Sequence, residues 1–401
     1  MMGHIRQRGN AWELRAYSGS DPVTGRKKYV TRTVRGPRKE AERALAHLLV
    51  EVTGGAHAAS DATVTDLVLR WFELAKPELS PSTIRGYERN INNHILPILG
   101  KTKISRLKAA QIDHFYAMLR DRGGVGGGPL APASVRQVHA ILRRALQQGV
   151  KWEWISSNPA ALAITPKVRQ FKVEPPDPAA VMKLIEAAAK EDLDFACFLI
   201  VAATTGARRG ELCALRWRSV NFDDETLTIA GAVVEGVGSQ LFEKDTKTHG
   251  SRKIAIDELT VATLNAHFVR CQLRAEKCGA ESKKDAFIFS PDADGRRPAV
   301  PNDVTKEFMR LRDRAGLESI RLHDLRHFAA TRLLSAGVSV RTVSGRLGHA
   351  SASMTLGVYA HFLEVSDREA ADALGLLITP LSTMKDDKVS RVVKISSAKN
   401  K

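Results

Sequence analysis

Apolar positions recur at two spacings along this chain, and the changes from one to the other divide it. Residues 4–35 alternate in the strand manner, with Trp12, Leu14 and Ala16 at period two and Val30, Arg32 and Val34 repeating the pattern with mixed polarity. Asp21-Pro22-Val23-Thr24-Gly25 reads as a turn, so strands near 12–17 and 28–34 are expected to pair as a hairpin. Pro37 then opens a helix to about Val52, with Ala41, Ala44, Leu45, Leu48 and Leu49 on one face. Residues 54–61 (Gly-Gly-Ala-His-Ala-Ala-Ser-Asp) read as a linker. Helical spacing follows. Val64, Leu67, Val68, Trp71, Phe72 and Leu74 mark one helix, and Ser80 or Ser82 caps a second that runs to about Asn93 and is ended by Ile95–Gly100. Lys108 to Arg122 gives a third. After a Gly/Pro-rich loop, a fourth runs from Pro132 or Ala133 to about Gly149, with Val135, Val138, Ile141, Leu142 and Ala145 inward and Arg136, His139, Arg143 and Arg144 on the other side.

Asn158 to Pro176 holds four prolines (Pro159, Pro166, Pro175, Pro176) among basic residues and reads equally as a linker passing along a phosphate backbone or as only a spacer. Beyond it, Asp177-Pro178 is an N-cap followed by proline at the first helical position. Helices are expected near 178–190 and 193–204, and Arg208 stands at the turn into another that carries Glu211, Leu212 and Leu215. Strands are expected at Thr226–Ile229, near 232–234 and 252–256, and at Phe287–Phe289. Further helices are expected near 302–315, 323–335, 340–347, 351–361 and 366–374. The pattern predicts a mainly α chain with small β-sheets, an α+β fold. Its segments are a sheet-plus-helix module over 1–55, a helical domain over 60–158, a mixed α/β domain over 177–377 and a basic flexible tail over 378–401.

Length and charge sharpen this. The 401 residues suit two or three domains. Lys+Arg number 61 against 44 Asp+Glu, a formal +17 with a pI near 9.9, so the surface attracts polyanions and nucleic acid is the first candidate. A ribosomal-type or membrane-surface protein is the plainer alternative. In the N-terminal module Arg6, Arg8, Arg15, Lys27 and Lys28 are candidate DNA contacts, since a sheet can present basic strands to a groove; the same residues also make an ordinary solvated face. Arg136, Arg143 and Arg144 are the corresponding candidates in the helical domain. The four cysteines, Cys197, Cys213, Cys271 and Cys278, form no CxxC pair, which points to a reducing compartment without disulfides or a thiolate zinc site. The N-terminus lacks an apolar leader core, and the longest apolar run, Phe195 to Ala203, is too short to span a bilayer. The expectation is a cytoplasmic protein, nucleoid-associated in a bacterium, with no membrane partner.

The candidate chemistry lies in the last domain. Arg321-Leu322-His323-Asp324-Leu325-Arg326-His327, Leu347-Gly348-His349 and Val358-Tyr359 fall within forty residues, and Arg208 waits upstream in Thr205-Gly206-Ala207-Arg208-Arg209-Gly210-Glu211. Breaking a phosphodiester without metal requires fixed cations facing the nonbridging oxygens, and Arg208 and Arg326 suit that task. A nucleophilic Tyr359 must lose a proton with an ordinary pKa of about 10. His323 suits the base, because it titrates near neutrality. Lys247, at a hairpin tip in Lys244–Gly250, suits the acid that protonates the leaving oxygen. His349 can donate to a nonbridging oxygen, and Glu211 can orient Arg208 or a histidine. Taken singly, each of these is an ordinary surface, salt-bridge or core residue; the set is harder to explain as structure. The rival is metal. His323 and His327 at i and i+4 resemble an H-E-x-x-H zinc site. Aspartate is one methylene shorter than the usual glutamate, however, and Arg326 opposes a dication, so no metal is expected.

These residues together resemble the tyrosine recombinase family, specifically the phage-type integrases. Thr205–Leu212 looks like the first arginine box, His323–His327 like the H-x-x-R box, and Leu347-Gly348-His349 and Tyr359 like the closing boxes. Thr246-Lys247-Thr248 followed by Ser251-Arg252 is similar to the segment that carries the lysine. Ten positions separate His349 from Tyr359, where nine is also frequent in the family. The resemblance implies an arm-type DNA-binding module over 1–55, a core-binding domain over 60–158 and a tyrosine recombinase catalytic domain over 177–377. It implies that Tyr359 forms a 3′-phosphotyrosine with release of a 5′-hydroxyl, supported by Arg208, Lys247, His323, Arg326 and His349, with no cofactor. The implied partners are double-stranded DNA attachment sites, a homotetramer on synapsed DNA, a host DNA-bending factor and an excisionase. Val365 to Leu377 is amphipathic enough to dock on a neighbouring protomer. Other readings on the same fold are a non-catalytic DNA-binding regulator, a type IB topoisomerase-like relaxase, and a chromosome dimer-resolving recombinase. The N-terminal module favours the integrase.

Overall fold

A computed structural model describes residues 3–20, 25–53, 61–168, 174–245, 250–281, 283–348, 371–372 and 374–375. It divides into two compact units, Met1–Gln170 with Gly236–Gln240, and Phe171–Glu235 with Leu241–Lys401.

The first unit opens with β1 (Gly3–Arg8), β2 (Ala11–Ser20) and β3 (Lys27–Arg35), an antiparallel sheet with β2 at its centre, followed by α1 (Arg38–Thr53). The expected hairpin is therefore a three-stranded sheet. Strand β1 escapes the period-two test because Ile5 is its sole large apolar residue. The register sets Ile5 beside Leu14 and Ala16 beside Val30, and these side chains face Ala41 and Leu48 of α1. Alternation sends Arg6, Arg8, Arg15, Tyr17 and Tyr29 to the opposite, open face.

The helical part packs α2 (Val64–Ala75), α3 (Pro81–Asn90), α4 (Leu96–Leu99), α5 (Ala109–Arg122) and α6 (Pro132–Lys151) around Leu67, Trp71, Phe115, Tyr116, Ile141 and Leu142. Thr63 and Asp66 form a reciprocal capping box at the start of α2, and Ser80 caps α3. Ile95–Gly100 does not end the helical path, contrary to the sequence expectation. A π turn over Ile91–Ile95 connects α3 to α4, and the Leu96 N–H donates to the Ile91 carbonyl. Pro97 has no N–H and its ring collides with a carbonyl one turn back, so the wider turn lets the chain stay helical past it.

The second unit begins with α7 (Pro178–Glu191), capped by Asp177 as expected, and α8 (Leu193–Thr205), whose all-round apolar character is that of a buried helix. A short helix α9 (Arg209–Cys213) leads to β4 (Val220–Asn221), β5 (Thr226–Ile229), β6 (Gly231–Glu235), β7 (Leu241–Asp245) and β8 (Arg252–Ala255). These make two sheets, β4-β5-β8 and β6-β7. The strands flanking Lys247 thus pair with β6 and β5 and not with each other, which corrects the expected hairpin. Phe287 makes one isolated bridge with Arg216 and no strand forms over 287–289, because the Phe287 N–H goes to Gly295 and that of Ile288 to Leu215. The helix α10 (Glu258–Lys277), capped by Asp257, was not legible in the periodicity: its buried face is Thr260, Leu264, His267, Cys271 and Ala275, only one of them a large aliphatic. The unit closes with α11 (Pro301–Arg314), α12 (Asp324–Ser335) and α13 (Val340–Leu347). The helices expected over 351–361 and 366–374, the amphipathic stretch 365–377 and the tail lie wholly or mostly outside the described residues. No helix among the described residues is long and apolar enough to cross a membrane. The four cysteines are free, and three of them are buried.

An ion cluster around the buried His267 ties α8 to α10. Asp194 accepts from His267 Nδ1 at 2.9 Å, Arg270 Nε at 2.9 Å and Arg274 Nη1 at 2.8 Å, while His267 Nε2 donates to the Ile288 carbonyl at 2.8 Å. Burial alone pushes His267 down, but the Asp194 carboxylate outweighs it and lifts the imidazole to about 9. A folded-state value above the ordinary 6.5 means stability that is full below about 6.5 and is lost as pH rises through about 9. Urea titrations of the wild type are expected to show this loss between pH 7 and pH 10, and His267→Gln is expected not to show it. Parallel pH curves for the two proteins would show that His267 carries no proton in the fold.

Candidate active site

The end of α8 sets the geometry. Gly206 is left-handed (φ +63) and its N–H closes α8 on the Ala202 carbonyl at 3.0 Å. Thr205 is fully buried, and its hydroxyl receives the Ala207 N–H at 3.2 Å. The chain then leaves extended, with Arg208 as the N-cap of α9. A Cβ on Gly206 would stand 2.5 Å from Leu347 Cδ2 and 3.2 Å from Ala329 Cβ. Gly206→Ala is therefore expected to cost about 2 kcal/mol or more from backbone strain and overpacking together, read as a lower midpoint in thermal or urea unfolding. A change below about 0.5 kcal/mol would mean the turn relaxes freely.

Arg208 is held on two sides. Its Nη1 donates to Glu211 Oε1 at 2.9 Å and its Nη2 to the Gly348 carbonyl at 3.0 Å, with the side chain still 40% exposed. Glu211 is 3% exposed and also accepts the Arg208 N–H at 2.9 Å. Its other partner is Arg252, which donates Nη2 to Oε2 at 2.7 Å and Nη1 to Oε1 at 3.2 Å. Burial by itself would raise the Glu211 carboxyl, and Arg252, followed by Arg208, holds it below the usual carboxylate range. Among the described contacts Glu211 orients two arginines, Arg208 and Arg252; His349, one of the histidines the sequence also offered it, lies outside the described residues.

Arg326, one turn into α12, is 4% exposed and donates Nη1 to the Gly206 carbonyl at 2.7 Å. The first arginine segment thus positions the second through its own turn. His323 is the residue before α12, and its ring meets His327 edge-on with centroids 5.0 Å apart. Burial, then His327 and Arg326, depress His323 to about 4; burial lowers His327 as well. At neutral pH both rings are uncharged, the form in which a histidine accepts a proton. Asp324 is buried and engaged by Arg321, which donates its N–H at 2.8 Å, Nη2 at 2.9 Å and Nε at 3.2 Å. That carboxylate completes an ion pair, in the position where a zinc-binding helix carries its glutamate.

One cleft of about 720 Å³ collects Arg208, Arg209, Arg312, Arg321, His323 and Arg326 over an apolar floor that includes Leu212, Phe308 and Leu325. Its walls come from α8–α9 (Leu193–Cys213) and, much later in the chain, from α11 and α12 (Pro301–Ser335). Six cationic or imidazole groups over a low-dielectric floor make a site for an anion of several oxygens. Lys247, His349 and Tyr359 lie outside the described residues. The sequence did not single out Arg209, which donates to the Thr305 hydroxyl, or Arg312, which donates to the Ile320 carbonyl at 2.7 Å. Basic residues in a basic chain carry no mark of a cleft until the helices are packed.

The DNA-contact candidates separate as follows. Arg6, Arg8 and Arg15 share the open face of the N-terminal sheet, with Arg8 paired to Glu13 at 2.9 Å and Arg15 lying over the Tyr29 ring at 3.9 Å. Lys27 is exposed, and Lys28 pairs with Asp61 at 2.5 Å. On α6, Arg136 and Arg143 are exposed, while Arg144 donates to the Tyr87 hydroxyl at 2.6 Å.

Comparison with known proteins gives these features a context. Residues 177–364 match the phage integrase family, and residues 63–119 match the phage integrase N-terminal SAM-like domain. A tyrosine recombinase XerC-like protein of Caldanaerobacter subterraneus subsp. tengcongensis is 26% identical over 358 residues, covering 84% of this chain and 89% of that protein. The fold is similar to the Tn1549 transposon integrase in complex with transposon right end DNA (TM-score 0.64, 20% identity, 78% of this chain and 99% of the other). It is also similar to a lambda integrase tetramer bound to a Holliday junction (TM-score 0.54, 20% identity, 88% and 94%).

Proposed function

The chain belongs to the phage integrase family of tyrosine recombinases and is a site-specific DNA recombinase, and on that premise we propose that it integrates or excises a mobile element through a 3′-phosphotyrosine at Tyr359. The observation that carries this reading is the cleft in which Arg208, His323 and Arg326 converge from two distant segments. In the proposed step the Tyr359 hydroxyl oxygen bonds to the scissile phosphorus and the bond to the 5′ oxygen breaks. The phenolic proton passes to neutral His323, and the departing 5′ oxygen takes a proton from Lys247. Arg208, Arg326 and His349 hold the nonbridging oxygens as their charge grows. Attack by a 5′-hydroxyl of a partner duplex reverses the step and joins the strands, so bond energy is conserved without a nucleotide or metal.

The open basic sheet face with Arg6, Arg8, Arg15 and Lys27 is assigned to distal arm sites, and α6 with Arg136 and Arg143 to the core site. A non-catalytic regulator on this fold is the second class, and the retained set Arg208, Lys247, His323, Arg326, His349 and Tyr359 speaks against it. A homotetramer on two duplexes, of the kind seen for lambda integrase on a Holliday junction, is the proposed working assembly, with a DNA-bending factor and an excisionase as accessory partners. The test is covalent trapping on a nicked suicide duplex carrying the attachment site, with the modified peptide mapped by mass spectrometry. An adduct that resists denaturant and maps to Tyr359 is expected. No adduct on a duplex that the protein binds would move the assignment to the regulator.

A further inference from the structure

Arg252 stands outside the anion cleft, yet it touches Glu211 of α9 and the end of α13 at Arg346 and Gly348. It is the first residue of β8 and five positions after Lys247 in the chain. Its side chain is 11% exposed, and every N–H direction that the structure assigns is spent inward. Two go to Glu211, at 2.7 and 3.2 Å, and Nε goes to the Arg346 carbonyl at 2.8 Å, in the last turn of α13. The guanidinium also fills the space beside Gly348: a Cβ there would stand 2.7 Å from Nη1 and 3.0 Å from Cζ. Gly348 is the residue whose carbonyl receives Arg208, and it directly precedes His349.

Resting on the reading above, we propose that Arg252 is a positioning residue for strand cleavage, setting the orientation of Arg208 through Glu211 and the placement of the Gly348 carbonyl. The physical reason is a shared carboxylate. Glu211 is buried, and without Arg252 its carboxylate would be held only by Arg208 itself, through Nη1 and the backbone N–H, so no group outside that residue would fix the pair. With Arg252 on one side and Arg208 on the other, both oxygens are committed and Arg208 keeps one rotamer. Lysine cannot reproduce this, because a single ammonium does not span Glu211 and the Arg346 carbonyl as a planar fork does. Arg252 does not line the cleft, and the route from it to the rate runs through Arg208.

The test is the rate of covalent adduct formation at saturating enzyme on a nicked suicide duplex, for wild type, Arg252→Lys, Arg208→Lys and the double variant. Glu211→Gln serves as a second single variant that keeps the side-chain shape. Arg252→Lys is expected to slow the adduct by about tenfold or more, with DNA affinity within about twofold. In the Arg208→Lys background the same change is expected to cost less than about threefold, because the group it positions is already gone. Glu211→Gln should behave as Arg252→Lys does. A merely structural arginine would lower the rate by the same factor in both backgrounds, or not at all, and either result overturns the inference alone. No wild-type adduct on bound DNA would overturn the recombinase mechanism and this inference with it.

Discussion

Tyr359→Phe is expected to bind its attachment site with unchanged affinity and to form no covalent adduct at all. The substitution removes one oxygen and nothing else from the side chain. Binding rests on many phosphate contacts from a chain of formal charge +17, none of which depends on that oxygen. Bond making at phosphorus has no substitute nucleophile of the same reach, so the loss is complete where a positioning change would be graded. The measurement sets a denaturing gel of the suicide-substrate reaction beside a gel-shift titration at fixed salt. Any adduct from the variant, at any rate, would assign the nucleophile to another residue.

Arg208→Lys is expected to slow adduct formation about a hundredfold, roughly 3 kcal/mol, the usual cost of losing one preorganised donor to a developing oxyanion. Net charge is unchanged, so the effect is one of geometry. Arg208 already gives one nitrogen to Glu211 and another to the Gly348 carbonyl while remaining 40% exposed. A planar guanidinium holds those two partners and still turns an edge to a phosphate; a lysine ammonium must choose. Affinity for the uncleaved duplex is expected to fall only severalfold, since one phosphate contact among many is altered. A cleavage rate within about threefold of wild type would make Arg208 a structural residue whose exposure is incidental.

Much of this was legible in the sequence, and the parts that were not share a cause. Arg208, Glu211, His323 and Arg326 are readable because each sits in a short local pattern: an arginine before a helix with a glutamate three positions on, or an H-x-x-R at a helix start. Caps at Asp177 and Ser80 are readable for the same reason. Strand β1 is not, because Gly3–Arg8 owes its structure to pairing with β2 and not to its own alternation. Helix α10 hides because the groups it buries include Thr260, His267 and Cys271; Asp194 and the Ile288 carbonyl satisfy His267 from other segments, and the N-cap Asp257 satisfies Thr260. The pairing of β7 with β6 and β8 with β5 is set by packing around Leu227 and Val233 that lies outside each strand, and a strand pattern alone does not name its neighbour. Arg252 belongs to this group. As a letter after Lys247 it is one more basic residue, and its meaning comes from three partners, two of them 41 and 94 positions away.

The helix α13 lies over a small apolar cluster, Ala330, Leu334, Val343 and Leu347, separate from the large core of its unit. Its remaining hold is polar. Arg346 reaches the carbonyls of Ala255 and Thr204, and Arg252 takes the Arg346 carbonyl. Four buried apolar residues, with Leu333, Val338 and Val340 partly buried against them, bury less apolar surface than the core that fixes α8, and only a few hydrogen bonds add to them. Amide hydrogens of this helix are therefore expected to exchange faster than those of α8. Because the Gly348 carbonyl that receives Arg208 directly follows this helix, the local stability of α13 is expected to set how firmly Arg208 keeps that partner, with hydrogen exchange over Val340–Leu347 as the readout.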